Sequence, residues 1–316
     1  MSMHKIKNFP IMFFAVIMGM GGFSLVVFAL SEKFKFSLVF FDIFRVISTS
    51  LFMVIVVFYL MKIILYFNAF KAEINHPIKI NFTATFSISL LILAMLWKDF
   101  PVFYQSLFYI GLVFQTFITF YVISFWIKNN LEIKHSNPAW FIPVVGNLIV
   151  VIAGEKEWAW LWYYFSIAMF FYGILFSIIF YRILFHDQLA MKFIPTMFIM
   201  LAPPAVGFLS YVKIVGYDLF AQSLFSLTLF FSFLLFFMFK SFFKLKFFLS
   251  WWAFTFPSAA VILAILKFYE FSHESIFLYF GVFLFVILCI MMLLVGFYTL
   301  KNIINQSIFE EEPVLK

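Results

Sequence analysis

The sequence predicts an all-α integral membrane protein of ten transmembrane helices arranged as five helical hairpins. Three observations predict it. The 316 residues are 66% hydrophobic, with a mean hydropathy of +1.11, where soluble chains run about 45–50% apolar. Apolar stretches near the roughly 20 residues that a bilayer crossing needs follow one another along the whole chain. Helices rich in small residues alternate with bulky, phenylalanine-rich ones, at intervals of about 55 to 58 residues after a first interval of about 71.

In order, the expected crossings lie near 10–30, 40–66, 81–97, 102–127, 139–154, 158–184, 194–212, 219–239, 249–267 and 276–301. The first follows Lys5 and Lys7, as a signal peptide would. No small-residue cleavage site and soluble domain come after it, so it reads as a helix. Together they make residues 1–316 a single membrane domain with short tails. One face of the membrane receives Lys5, Lys7, Lys62, Lys71, Lys79, Lys128, Lys134, Arg182, Lys192, Lys240, Lys244, Lys246, Lys301 and Lys316. The other receives Lys33, Lys35, Lys98, Lys156, Lys213 and Lys267, with Arg45 near a helix start. The positive-inside rule then puts both termini in the cytoplasm of a cell-membrane protein. The net charge of +7 has the same explanation, because the lysines flank apolar stretches and form no basic face for nucleic acid. The acidic run Phe309–Pro313 reads as a solvated tail. A single cysteine, Cys289, excludes an intrachain disulfide and a cysteine-rich metal site. The five histidines are scattered and pair with no carboxylate at ligand spacing, so no metal or cofactor is expected.

The first, fifth, seventh and ninth helices carry Gly, Ala, Ser and Pro in their interiors, and the third substitutes Thr, Ser and Ala. The eighth carries eight phenylalanines. Small residues let backbones approach, and proline frees a carbonyl and bends a helix. Both are tolerated at membrane depth where protein or water covers the backbone. Two readings follow: an inner ring of five helices inside an outer ring of five, or small residues that only mark helix contacts, as in many bundles.

The stretches "FPIMFFAVIMGMGG", "NPAWFIPVVG", "APPAVGFLSY" and "SWWAFTFPSAA" resemble the tellurite-resistance/dicarboxylate transporter family, which includes TehA-like proteins and the plant slow-type anion channels. The resemblance runs through nearly all ten helices in order. It implies a quasi-five-fold central pore lined by the five odd-numbered helices, one pore per protomer and a homotrimer. It also implies a mid-membrane plug formed by a phenylalanine on the ninth helix, which falls on Phe256. Pro257 would then bend that helix toward the pore, and Ser258, Ala259 and Ala260 would leave room beside it. Pro143, Pro203 and Pro204 match the family's helix-bending prolines. Ile17 and Ser87 stand where the family often has proline, so the first and third helices are expected to bend less. Trp251 and Trp252 read more simply as an interfacial aromatic belt.

The odd helices hold no ionisable residue in their interiors, which argues against an intramembrane proton relay. Their polar groups are Ser24, Thr83, Thr85, Ser87, Ser89, Asn147, Thr196, Thr255 and Ser258, and most are expected to bond back to their own helix. Asp42 and Arg45, three apart, are expected to pair. The chain lacks a Ser/His/Asp cluster, an HExxH motif and a phosphate-binding glycine loop, so no enzyme is expected. Two function classes remain. One is a channel or facilitator for small inorganic anions such as chloride or nitrate. The other is a secondary carrier of C4-dicarboxylates, sulfite or tellurite-type oxyanions.

Overall fold

The computed structural model describes residues 3–243 and 245–309. Lys244, Lys316 and the acidic residues after Phe309 lie outside them. Every regular element among the described residues is helical. The long ones are α1 (Ile11–Phe34), α2 (Val39–Leu65), α3 (Lys79–Leu96), α4 (Pro101–Lys128), α5 (Pro138–Ala153), α6 (Leu161–Phe185), α7 (Met191–Ile214), α8 (Leu219–Phe237), α9 (Leu249–Ser272) and α10 (Ser275–Ile304). Short helices Met3–Lys7 and Phe67–Ile74 precede α1 and α3.

Nine of the ten are long and apolar enough to cross a bilayer. The exception is α5, with three 3-10 residues followed by thirteen α-helical ones. At rises of about 2.0 and 1.5 Å it is about 25 Å long, short of the ~30 Å hydrocarbon layer. The fold is therefore an all-helical membrane protein with nine full-length spans among the described residues and one shorter apolar helix.

Burial separates the helices as their composition does. Over their apolar windows α1, α3, α7 and α9 are 61–83% buried, and the even-numbered helices 17–33%. Contacts run from α1 to α3, α5, α7, α9 and back to α1, and each of these also packs on the helix that follows it. Glycines permit the closest approaches. A Cβ on Gly22 would lie 3.2 Å from the Phe256 ring, and one on Gly19 would meet Thr255 and lie 2.9 Å from Trp252.

All five odd helices begin as 3-10 helix before turning α-helical: Ile11–Phe13, Lys79–Thr83, Pro138–Trp140, Met191–Leu201 and Leu249–Phe254. The prolines sit at that change. Pro143, Pro203 with Pro204, and Pro257 all lie within the first three residues of their α-helical portions. The amides that open these α-helical portions bond back into the 3-10 turn, and proline, with no N–H to place and a φ already helical, is tolerated where the hydrogen-bond pattern changes. Proline thus marks the 3-10 to α junction and does not interrupt an α-helix midway. Ile17 and Ser87 fall beyond the corresponding junctions of α1 and α3.

Local capping closes several ends. The Asp218 carboxylate accepts from Phe220 N and Ala221 N to cap α8. The Tyr211 hydroxyl donates to it at 2.6 Å and, with those amides, holds its carboxyl below the usual range. Arg45 meets Asp42 at 2.6 Å, three residues apart, and stacks 4.5 Å from the Trp97 ring centroid.

A buried amide holds α3, α4 and α5 together. Gln115 of α4 accepts from Ser87 Oγ at 2.7 Å and donates to Pro143 O at 2.9 Å and to Thr119 Oγ1 at 3.1 Å. Gly146 leaves the space this carboxamide fills, since a Cβ there would overlap it. Gly146→Ala is expected to destabilise the fold by about 1–3 kcal/mol, the usual cost of overpacking. Thermal unfolding in detergent checks it, and a melting temperature at or above the parent's would refute the steric argument.

Candidate functional site

A cavity of about 40 Å³ lies where the five odd helices face one another. Each contributes to its wall: Met12, Ala15 and Met18 from α1; Phe82, Thr85 and Ile88 from α3; Ile142 and Val145 from α5; Ile199 and Ala202 from α7; Trp252, Phe256 and Pro257 from α9. The wall is almost wholly apolar.

Phe256 stands in this wall and is 7% exposed. Its ring lies over Gly22, and Ala259 sits one turn further on, so small residues surround it. Pro257 lines the cavity beside it. Pro203 and Pro204 are buried in α7 just after Ala202, which is the wall residue there. Pro143 presents its carbonyl to Gln115 and to Asn147 Nδ2. Ser87 turns its hydroxyl toward Gln115 of α4, while the wall on α3 is made by Phe82, Thr85 and Ile88.

All nine polar residues singled out in the odd helices bond to a carbonyl three or four residues earlier. The pairs are Ser24–Met20, Thr83–Ile80, Thr85–Phe82, Ser87–Ala84, Ser89–Thr85, Asn147–Pro143, Thr196–Phe193, Thr255–Trp252 and Ser258–Phe254. Each hydroxyl has one proton to donate; that of Ser87 is shared between Ala84 O and the nearer Gln115 Oε1, and the other hydroxyls give theirs to backbone. Ser250, which also lines the cavity, donates to Lys192 O at 2.6 Å. The wall therefore has few free donors to replace the water around an ion.

Three features escaped the sequence reading. Trp252 does not face lipid as an aromatic belt would: it is 4% exposed, and its indole N–H donates to Thr299 of α10 at 3.0 Å. A hydrogen-bonding partner 47 positions away leaves no periodic sign. Gln115 was legible only as a lone amide inside an apolar run. The third is a buried ion pair at the start of α1. Lys62 Nζ lies 2.7 Å from Glu73 Oε2, which also accepts from the Tyr59 hydroxyl at 3.0 Å. Glu73 Oε1 accepts from Ile11 N at 3.0 Å, and Lys62 donates to Phe9 O at 2.9 Å. These bonds pin the segment leading into Met12, the first wall residue of α1.

A helical, multi-pass membrane protein with an apolar cavity among its most buried helices is the class this architecture defines. Residues 8–300 match the SLAC1 family, described as voltage-dependent anion channel, and the chain belongs to that family. The family is not enzymatic. Among similar proteins, the S-type anion channel SLAH2 of Arabidopsis thaliana is 30% identical over 234 residues, 70% of this chain and 44% of the plant protein. The match to SLAH3 of the same plant spans only 36% of that relative, so the chain covers less than half the length of either. A Methanocaldococcus jannaschii protein, Uncharacterized transporter MJ0762, is 24% identical across 97% of this chain and 98% of its own length. The tellurite resistance protein TehA homolog of Haemophilus influenzae is 25% identical over 67% of each chain.

Proposed function

We propose that this protein is a channel for small inorganic anions, with chloride and nitrate as representatives, closed by the Phe256 ring. The reading places ten crossings as five hairpins, with α1, α3, α5, α7 and α9 around a quasi-five-fold conduit. It makes residues 1–316 one membrane domain, with both termini on the lysine-rich cytoplasmic face. The family resemblance adds a homotrimer with one conduit per protomer.

One observation carries the proposal: the cavity is walled by all five small-residue helices, and Phe256 stands in it. Depth agrees with a mid-membrane plug. Six 3-10 residues and one α-helical residue, Thr255, separate the start of α9 from Phe256. At their respective rises that is about 14 Å, close to half of a ~30 Å hydrocarbon layer. An anion entering this collar would shed water and meet carbon, because the nearby hydroxyls serve the backbone. A narrow apolar constriction also tends to dry out, which blocks ions without a perfect steric seal. Opening then requires displacing the Phe256 ring from its seat against Gly22.

The test is current recording from the purified protein in planar bilayers under anion gradients, with chloride replaced by nitrate and then by malate. A reversal potential that follows the inorganic anion gradient, with current rising without saturation, is the expected result. Saturable malate flux driven by a proton gradient would replace the channel with a dicarboxylate carrier.

A further inference from the structure

Trp252 lies one turn before Phe256 on α9 and lines the same cavity. The two rings have matching seats on α1: Gly19 faces Trp252 and Thr255, and Gly22 faces Phe256 and Ala259. Glycines three apart share one helix face, so α1 presents two adjacent notches to two adjacent aromatics. Trp252 has a single polar atom, and it is engaged. The indole N–H donates to Thr299 Oγ1 at 3.0 Å, and the Thr299 hydroxyl proton goes to Val295 O at 2.7 Å. What Trp252 adds to the cavity wall is therefore carbon.

We propose that Trp252 is a second constriction residue, held by Thr299 as a positioning residue, so that two aromatic rings in series close the passage. This rests on the conduit reading above. Four residues of mixed 3-10 and α geometry separate the rings by roughly 7 Å along the helix. That spacing stretches the dry section over two rings, and an ion must stay dehydrated across both. Thr299 has a chemical role as well as a mechanical one. An indole N–H turned into the passage would be a donor for an anion. Bound to Thr299, it is withheld, and the closed section stays free of anion-stabilising groups. The outer helix α10 thereby takes part in closure.

The experiment measures chloride and nitrate efflux from proteoliposomes with the parent, Phe256→Ala, Trp252→Ala, the double variant, Thr299→Val and Thr299→Ser. With rings in series, each single alanine variant leaks, and the double variant exceeds either single by about tenfold or more. Thr299→Val frees the indole N–H, so it raises flux and shifts the nitrate-to-chloride permeability ratio. Thr299→Ser keeps the acceptor and restores parental behaviour. A purely structural threonine would leave the permeability ratio unmoved. Trp252→Phe, which keeps an apolar ring in place, guards against misfolding of the alanine variant and is expected to remain closed. If Phe256→Ala leaks while the double variant conducts no more than it, the second ring is overturned and the single plug stands. An unshifted permeability ratio in Thr299→Val overturns the positioning role. No leak from any variant overturns both the second ring and the conduit itself.

Discussion

On the proposed channel reading, Phe256→Ala is expected to raise anion flux by about tenfold or more, which corresponds to removing at least ~1.4 kcal/mol of barrier. The direction follows from what surrounds the ring. Phe256 lies against Gly22, with Ala259 one turn further along α9, and neither can extend a side chain into the vacated volume. The cavity there is small, about 40 Å³, so removing a phenyl group changes the passage by a large fraction of its free space. Among the described residues none that lines it is charged, so the proposed barrier would be dehydration against carbon, and widening would let more water remain with the ion. Phe256→Leu retains an apolar side chain of similar reach and is expected to stay near the parental level. Current from Phe256→Ala that matched the parent's in bilayers of equal protein content would remove Phe256 as the closing group. The same variant is expected to unfold below the parent's temperature, since a buried ring is lost, but to keep its fold because α9 retains its contacts with α1, α7 and α10.

Lys62→Met or Glu73→Met alone destabilises the protein by about 3–5 kcal/mol, the largest stability effect expected from one substitution here. The two side chains are 4% and 7% exposed, and each single change strands the other charge in a site that water scarcely reaches. The Glu73 change also removes the acceptor of the Ile11 N–H and of the Tyr59 hydroxyl, and the Lys62 change removes the donor to Phe9 O. Changing both to methionine removes both charges together. That double variant is expected to be more stable than either single one, since an apolar pair of similar volume often replaces a buried ion pair at little cost. Thermal unfolding of the three variants in one detergent gives the comparison. Additive losses in the double variant would mean that the two groups contribute independently, against the shared geometry. Because these bonds hold the backbone just before Met12, the single variants also test whether the start of α1 must be fixed for the cavity to keep its shape.

The elements that could be read from the sequence are those set by neighbours on the same helix. Span positions follow from runs of apolar residues, and α1 to α10 lie within a few residues of their expected ranges. The Asp42–Arg45 pair and the nine backbone-bonded polar side chains depend on spacings of three or four residues. The contrast between small-residue and bulky helices gave the inner and outer groups, because close backbone approach demands small side chains wherever it occurs. The shortfall of α5 and the 3-10 starts were less legible. Proline announces an irregularity, but the hydrogen-bond pattern before it depends on how the chain enters the bundle.

By itself, the sequence determined that this is a helical membrane protein, which helices are buried, and where proline and glycine allow unusual backbone. Only the tertiary structure decided that Trp252 bonds to Thr299, that Gln115 fills the space over Gly146, and that Glu73 joins Lys62 to the backbone of Ile11. The reason is physical. A helix fixes its own i+3 and i+4 neighbours through its pitch, whereas partners on other helices are chosen by how faces pack, and packing leaves no regular period in the chain.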